Sequence, residues 1–269
     1  MRVISFRRLR EFWESRSGDQ GLARNALGAW YRTVKSCSWA NFSALRRTYP
    51  SADLVASCVA FNVGHNRYRV IGRVNFARGR VYVLKVMDHG EYDLKRWVDD
   101  CGCHRPPPRR EKGKKEMAVK TAPVSYFRLV ERFPLASIRD DAHLKKAQSL
   151  LDELLQLRTD RGTELYIDAL TDLVEHYELS HEPPIHASEG DVLRELMAGH
   201  GLTQKALEAA VGISQSTISA VLNGTRSLTK DQVLALARYF GVGPSAFLAM
   251  PDDNVPAPAA RRGGPKIVR

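Results

Sequence analysis

Side chains alternate with period two over one stretch of this chain, Ser57 to Met87, and repeat near every 3.6 residues through most of the chain beyond Pro134. A strand sends successive side chains to opposite faces, whereas a helix stacks residues three and four apart, so the two stretches cannot share one element type. The expected fold is therefore α+β, with a small antiparallel sheet carried early and an all-α region after it. The strands are "SCVAFNV", "RYRVIGRVNF" and "VYVLKVM", joined by the turns "GHN" and "ARGR". Two helices precede them, around "FRRLREFWES" with Leu9, Phe12 and Trp13 on one side, and around "LARNALGAWYRTV" with Leu22, Ala26, Ala29, Trp30 and Val34.

Alternation places Arg67, Arg69, Ile71, Arg73 and Asn75 on one face and Tyr68, Val70, Val74 and Phe76 on the other. If Arg78-Gly79 is a two-residue turn, Arg73 stands opposite Leu84 and Lys85 falls on the apolar face. Arginines at alternate strand positions are most often a solvated face. Here "MDHGEYD" brings His89, Glu91 and Tyr92 to the same edge. An imidazole titrating near neutrality beside guanidinium forks that match phosphate oxygens suffices to break a ribose–phosphate link without a metal. Neither a metal nor another cofactor is expected.

Charge divides the chain further. Residues 1–116 hold 24 Lys and Arg against 11 Asp and Glu, residues 117–200 hold 9 against 15, and residues 201–269 hold 8 against 4. A basic module binds polyanions through phosphate contacts, and a nearby acidic segment can occupy the same surface. Between them "HRPPPRREKGKKE" has no apolar period and is expected to be an extended linker. Its Gly-Lys-Lys-Glu before Met117 is necessarily encoded by a purine-rich tract, as before a bacterial start codon, which suggests two adjacent genes joined. The four cysteines are too few for a disulfide framework and are expected to be reduced; "CGCH" has no second ligand cluster to complete a zinc site. No apolar run approaches the roughly 20 residues of a membrane span, and "MRVISFRRLREFW" lacks a signal-peptide core, so a cytoplasmic protein without membrane association is expected.

After Pro134, Asp140 or Asp141 can cap a helix with Leu144, Ala147, Leu150, Leu151, Leu154 and Leu155 in register, and a second helix carries Leu165, Leu170, Leu173, Val174 and Tyr177. Such a hairpin is commonly plain core. Its acidic Asp152, Glu153, Asp168, Asp172 and Glu175 suggest that it docks on the basic module or on its own copy. "GLTQKALEAAVGISQSTISAVLNGTRSLTKDQVLALARYFGV" then has the form of a helix-turn-helix: Gly212 permits the turn, and Leu207, Val211, Ile218, Val221 and Leu222 fix the crossing. Gln215, Ser216, Thr217 and Ser219 are expected on the exposed side of the second helix, facing base edges and phosphates. Gln204, Asn223 and Arg226 are expected to add phosphate contacts.

The segments "YPSADLV", "AFNVGHNRYRV" and "MDHGEYD" resemble HigB-type toxins, which are RelE-like mRNA endonucleases acting on the ribosome, over about residues 1–100. The resemblance implies catalytic Arg69, Arg73 and His89, with Asn62, Asn66, Arg67, Lys85 and Tyr92 in RNA binding. Leu84 stands where the family tends to carry an arginine, and Lys85 replaces that cation only if a bulge restores the register. Residues 117–250 resemble a HigA-type antitoxin with an Xre/Cro helix-turn-helix. The expected organisation is a toxin domain over 1–104, a linker over 105–134, an acidic neutralising and dimerising segment over 135–184, a DNA-binding domain over 187–250 and a disordered tail over 251–269. Expected partners are mRNA on the ribosome, operator DNA and the chain itself, the antitoxin segment covering the face around Arg69, Arg73 and His89 and a homodimer forming through the antitoxin region. The alternative is a transcription regulator whose toxin-like domain has lost its chemistry.

Overall fold

The computed structural model describes residues 1–103, 123–157, 159–183 and 185–248. The alternating segments form β3 (Cys58–Val63), β4 (Tyr68–Asn75) and β5 (Arg80–Asp88), an antiparallel meander. Two edge strands extend it, β1 (Arg2–Ile4) parallel to β5 and β2 (Asp53–Val55) antiparallel to β3, in the order β1-β5-β4-β3-β2. Three residues are too few to display a period, so neither edge is legible in the sequence.

Before the meander lie α1 (Arg7–Glu14), α2 (Gln20–Ser36) and α3 (Phe42–Thr48); after it come the short α4 (His89–Asp93) and α5 (Trp97–Asp100). Leu22, expected on the inner stripe of α2, is exposed, because Ala23, Leu27, Trp30 and Val34 carry the buried face. The remaining helices are α6 (Val124–Arg132), α7 (Asp141–Gln156), α8 (Arg161–His181), α9 (Glu189–Gly199), α10 (Gln204–Val211), α11 (Gln215–Leu222) and α12 (Lys230–Phe240). Asp140 accepts from the His143 amide and opens α7 as its cap. The segment expected as a linker over 105–134 contains α6, whose Tyr126, Leu129 and Val130 lie at helical spacing and pack on the α7–α8 hairpin. Residues 104–122 and the expected tail over 251–269 lie outside the described residues.

Two faces of the sheet do different work. Val59, Phe61, Val70, Val81 and Val83 face α1 and α2, and the same core continues into Leu193, Leu196, Leu207 and Ile218 of the helix-turn-helix region. Gly28 lets this contact close, since a Cβ there would stand 3.1 Å from the His186 carbonyl. Burial of each such large side chain contributes about 1.5–3 kcal/mol, so the helix-turn-helix region is bound to α2 by packing of core quality.

On the other face, Cys58, Ala60, Ile71 and Met87 lie beneath Trp97, Cys101 and Cys103. Cys58 and Cys103 form a disulfide with a Cα separation of 5.4 Å, which corrects the expectation of reduced cysteines. The partners stand 45 residues apart and meet only because the chain after α5 returns across the sheet. Cys37 and Cys101 are free and buried. Among the described residues no group of three or more His, Cys, Asp and Glu could hold a metal, and no helix is long and apolar enough to cross a membrane.

Candidate functional site

The geometry of the arginine face depends on one irregularity. Gly72 pairs with Val83, but the next residue, Ile71, pairs with Lys85, so Leu84 is an extra residue in β5. The hairpin also turns through Phe76–Gly79, closed by the Gly79 amide donating to the Phe76 carbonyl, rather than through two residues. Arg73 therefore opposes Tyr82, not Leu84, and Lys85 stands opposite Ile71 on the arginine face rather than the apolar one. Arg8 of α1 supports the bulge by donating through Nη1 to the carbonyls of Val83 at 2.7 Å and Leu84 at 3.2 Å. Nothing in the sequence singles out Arg8, because an arginine on an amphipathic helix reads as solvated.

Asn62, Arg69 and Met87 form one cross-strand row, and Ala60, Ile71 and Lys85 form the next. The Arg69 guanidinium donates to the Asn66 carbonyl at 2.9 Å and the Tyr68 carbonyl at 3.2 Å, and stands 5.0 Å above the Tyr92 ring. Left-handed backbone at Gly64, His65 and Asn66 turns the Asn66 carbonyl towards it. Burial lowers the pKa of Arg69 from its ordinary value. Tyr92 in turn stacks on Trp97. Asn62 donates its amide to the Ser51 carbonyl at 3.1 Å. His89 opens α4 with its backbone amide on the Arg67 carbonyl at 3.0 Å; its half-exposed imidazole lies 3.4 Å from Asp93. Lys85 Nζ meets Glu91 at 2.8 Å and Asp100 at 3.2 Å, and hydrogen bonding to Glu91 leads the causes that raise its pKa. Asn62, Asn66, Arg67, Arg69, Lys85, His89 and Tyr92 thus gather at one end of the face.

Arg73 does not join them. Its buried guanidinium donates to Ser57 Oγ at 3.0 Å, to the Gly102 carbonyl at 3.4 Å and to the Leu155 carbonyl of α7, and burial lowers its pKa. The disulfide holds Gly102 over it, a constraint invisible in the sequence.

The hairpin of α7 and α8 docks with matched charge. Asp152 meets Arg8 at 2.7 Å, Asp168 meets Arg78 at 3.0 Å and also Arg80, Asp172 meets Arg2 at 2.7 Å, and Glu175 also binds Arg2. Glu153 pairs with Arg132 of α6 and stays out of this contact. The hairpin is expected from the sequence to cover the face around Arg69, Arg73 and His89. It reaches Arg73 through the Leu155 carbonyl, but its ion pairs fall on α1, on the β1–β5 edge and on Arg78, because its carboxylates follow the arginines of the chain's first turns and of the β4–β5 hairpin. Two further carboxyls carry no signal in the sequence. Glu178 accepts from the amides of Ser5 at 3.0 Å and Arg7 at 3.1 Å and from Gln148 Nε2 at 3.1 Å, and burial pushes it up to about 7. Glu195 of α9 accepts from the Gly64 amide at 3.0 Å, and burial pushes it up to about 8.

In the helix-turn-helix, Gly212 takes φ +70° between α10 and α11, and Ser214 caps α11. Gln215, Ser216, Ser219 and Asn223 lie along one outward stripe, with Gln204 half-exposed at the start of α10. Thr217, expected among them, is buried: it lies one turn before Val221 and beside Ile218, with Oγ1 accepting from Ser214 Oγ at 3.0 Å and from Arg226 Nη1 at 3.3 Å. Arg226 itself is exposed.

Residues 23–95 match the HigB toxin family, described as the RelE-like toxic component of a toxin–antitoxin system, and residues 193–247 match a helix-turn-helix family. The chain is 31% identical over 71 residues to the mRNA interferase HigB of Escherichia coli, a match covering 25% of this chain and 69% of that protein. It is also 38% identical over 69 residues to virulence-associated protein I of Dichelobacter nodosus, covering 25% of this chain and 62% of that one.

Proposed function

Because the chain belongs to the HigB family of RelE-like toxins and carries a DNA-binding helix-turn-helix module behind that domain, we propose that it is a fused toxin–antitoxin protein whose nuclease is restrained in cis. The substrate is mRNA on the ribosome. His89 moves the proton: the ribose 2′-oxygen bonds to phosphorus, the bond from phosphorus to the 5′-oxygen breaks, and a cyclic phosphate and a 5′-hydroxyl result. Arg69 and Lys85 stabilise the charge that builds on the phosphoryl oxygens, and Asn62, Asn66, Arg67 and Tyr92 hold the RNA. No step needs a metal or cofactor. The observation that carries this reading is the bulge at Leu84, which sets Lys85 on the same face as Arg69.

The domains proposed are the toxin over 1–104, a neutralising hairpin within 135–184 and the DNA reader over 187–250. Packing of α7 and α8 over Arg73 and the neighbouring arginines closes the approach to the face, and tethering raises the local antitoxin concentration to roughly millimolar. Gln215, Ser216, Ser219, Asn223, Gln204 and Arg226 contact a two-fold operator as part of a homodimer that represses its own promoter, with half-sites about one helical turn apart. Thr217 supports α11 from inside.

Induced expression of residues 1–104 in bacteria tests the nuclease. Growth arrest with cut mRNA, reversed by co-expression of residues 117–269, is the expected result; unchanged growth and intact mRNA refute it. One observation favours a second reading, a regulator with a spent toxin domain: Arg73 is withdrawn beneath Gly102 and α7. That reading predicts an inert 1–104 fragment and unaltered operator binding.

A further inference from the structure

The arginine face does not end at the cleavage edge. Along the register from Arg69 and Lys85, the same side of the sheet carries Arg73 opposite Tyr82, then Arg80, whose row includes Arg2 of β1. Arg78 lies in the adjoining turn. Asn75, the partner of Arg80, is six positions beyond Arg69, so these cations, interspersed with Tyr82 and Ile4 of the hairpin's core, extend over roughly 20 Å at strand rise. The far half of this track is occupied. Glu164, Asp168, Asp172 and Glu175 project from one side of α8 onto Arg78, Arg80 and Arg2, a row of negative charges about 4.5–6 Å apart by helix rise. One turn further along α8, the buried Glu178 carboxyl accepts from the Ser5 and Arg7 amides and anchors the helix there.

We infer that α8 imitates an RNA strand: the track around Arg2, Arg78 and Arg80 is an RNA-backbone docking site distinct from the cleavage edge, and hairpin and RNA occupy it in turn. The choice of RNA as the polyanion rests on the function proposed above. Alternating occupancy makes the hairpin a competitor for substrate rather than a plug in the catalytic edge, which agrees with the ring and carbonyl partners of Arg69 all lying in the N-terminal module.

The test is fluorescence anisotropy of a labelled, fully 2′-O-methylated 20-nucleotide RNA, which binds but cannot be cut, titrated with the full chain at several salt concentrations. Neutralising the mimic with Asp168→Asn, Asp172→Asn and Glu175→Gln together is expected to raise RNA affinity at least tenfold and to steepen its salt dependence by two or more released counterions. Adding Arg2→Ala and Arg80→Ala returns affinity to the starting level, whereas Arg24→Ala and Arg47→Ala, the same charge change at exposed positions elsewhere, does not. Unchanged affinity after neutralisation, or equal loss from both arginine pairs, overturns the site. Hydrogen exchange of the unsubstituted chain reads the same competition without a variant: saturating RNA speeds exchange at the Ser5 and Arg7 amides if it displaces α8, and leaves them protected if the inference is wrong. Because the probe cannot be cleaved, a dead nuclease leaves these outcomes intact and fails only the cleavage assays.

Discussion

Lys85 shows how much one residue's facing decides. The bulge places Lys85, rather than Leu84, on the face of Arg69, and on the proposed function this supplies the site's second cation. Lys85→Ala is therefore expected to lower cleavage by the free toxin domain about 10²-fold, the usual cost of one preorganised charge donor, with little change in folding. Leu84→Arg is expected to change the rate less than threefold, since the site already has its cation. Single-turnover cleavage of mRNA on programmed ribosomes checks both. Restoration of a weak enzyme by Leu84→Arg would show that Lys85 does not act. The alternation of Arg67, Arg69 and Arg73 is legible because period two survives any loop length. The bulge is not, because nothing in "VYVLKVM" marks a surplus residue, and neither is the fate of Arg73, which depends on a disulfide between distant segments.

Among the elements, α11 carries one buried polar side chain and others that are exposed or half-exposed, and the proposed function divides them between support and recognition. Thr217 links the Ser214 cap to Arg226 from a buried position, so Thr217→Ala should cost about 1 kcal/mol of stability in urea unfolding and leave operator preference unaltered. Gln215→Ala should do the reverse, losing about 1–3 kcal/mol of discrimination between operator and scrambled DNA with unchanged unfolding. Equal effects of the two on discrimination would contradict this division. The helix-turn-helix and both hairpin helices are readable from apolar spacing and capping residues, since these signals are local. Thr217 is misplaced when exposure is inferred from polarity, whereas helical phase with Ile218 and Val221 decides it. The short α6 escapes a sequence reading because its apolar triad lies beside a proline- and charge-rich stretch that reads as linker.

For the whole molecule, the N-terminal module and the helical region share one core, and two buried carboxyls sit on their contact. Glu178 and Glu195 are raised by burial to about 7 and about 8 from an unfolded value near 4.5. The folded chain therefore holds protons that the unfolded chain has released. The stability this gives is fully present below about pH 4.5 and is lost as pH rises through 7 and 8, at up to about 1.4 kcal/mol per pH unit for each group. Asp141 acts oppositely: Arg7 holds it down at about 2, so its contribution is lost only as pH falls below about 4. Thermal unfolding of the full chain should show its midpoint falling from pH 5 to pH 8, and Glu195→Gln should flatten the upper part of that fall. A midpoint that rises over this range would contradict the buried, neutral state of both groups.

On the proposed function a nuclease and its restraint share one chain, so that separation lets the restraint be diluted away. A protease site placed between residues 105 and 122 allows the two parts to be severed after folding, and cleavage of translated mRNA is then followed as the nicked protein is diluted. Intact chain should remain silent at every concentration, while nicked chain should be silent when concentrated and cut increasingly on dilution, with Arg69→Ala abolishing the cutting. Cutting by the intact chain equal to that of the nicked one, or none at any dilution, would contradict restraint in cis.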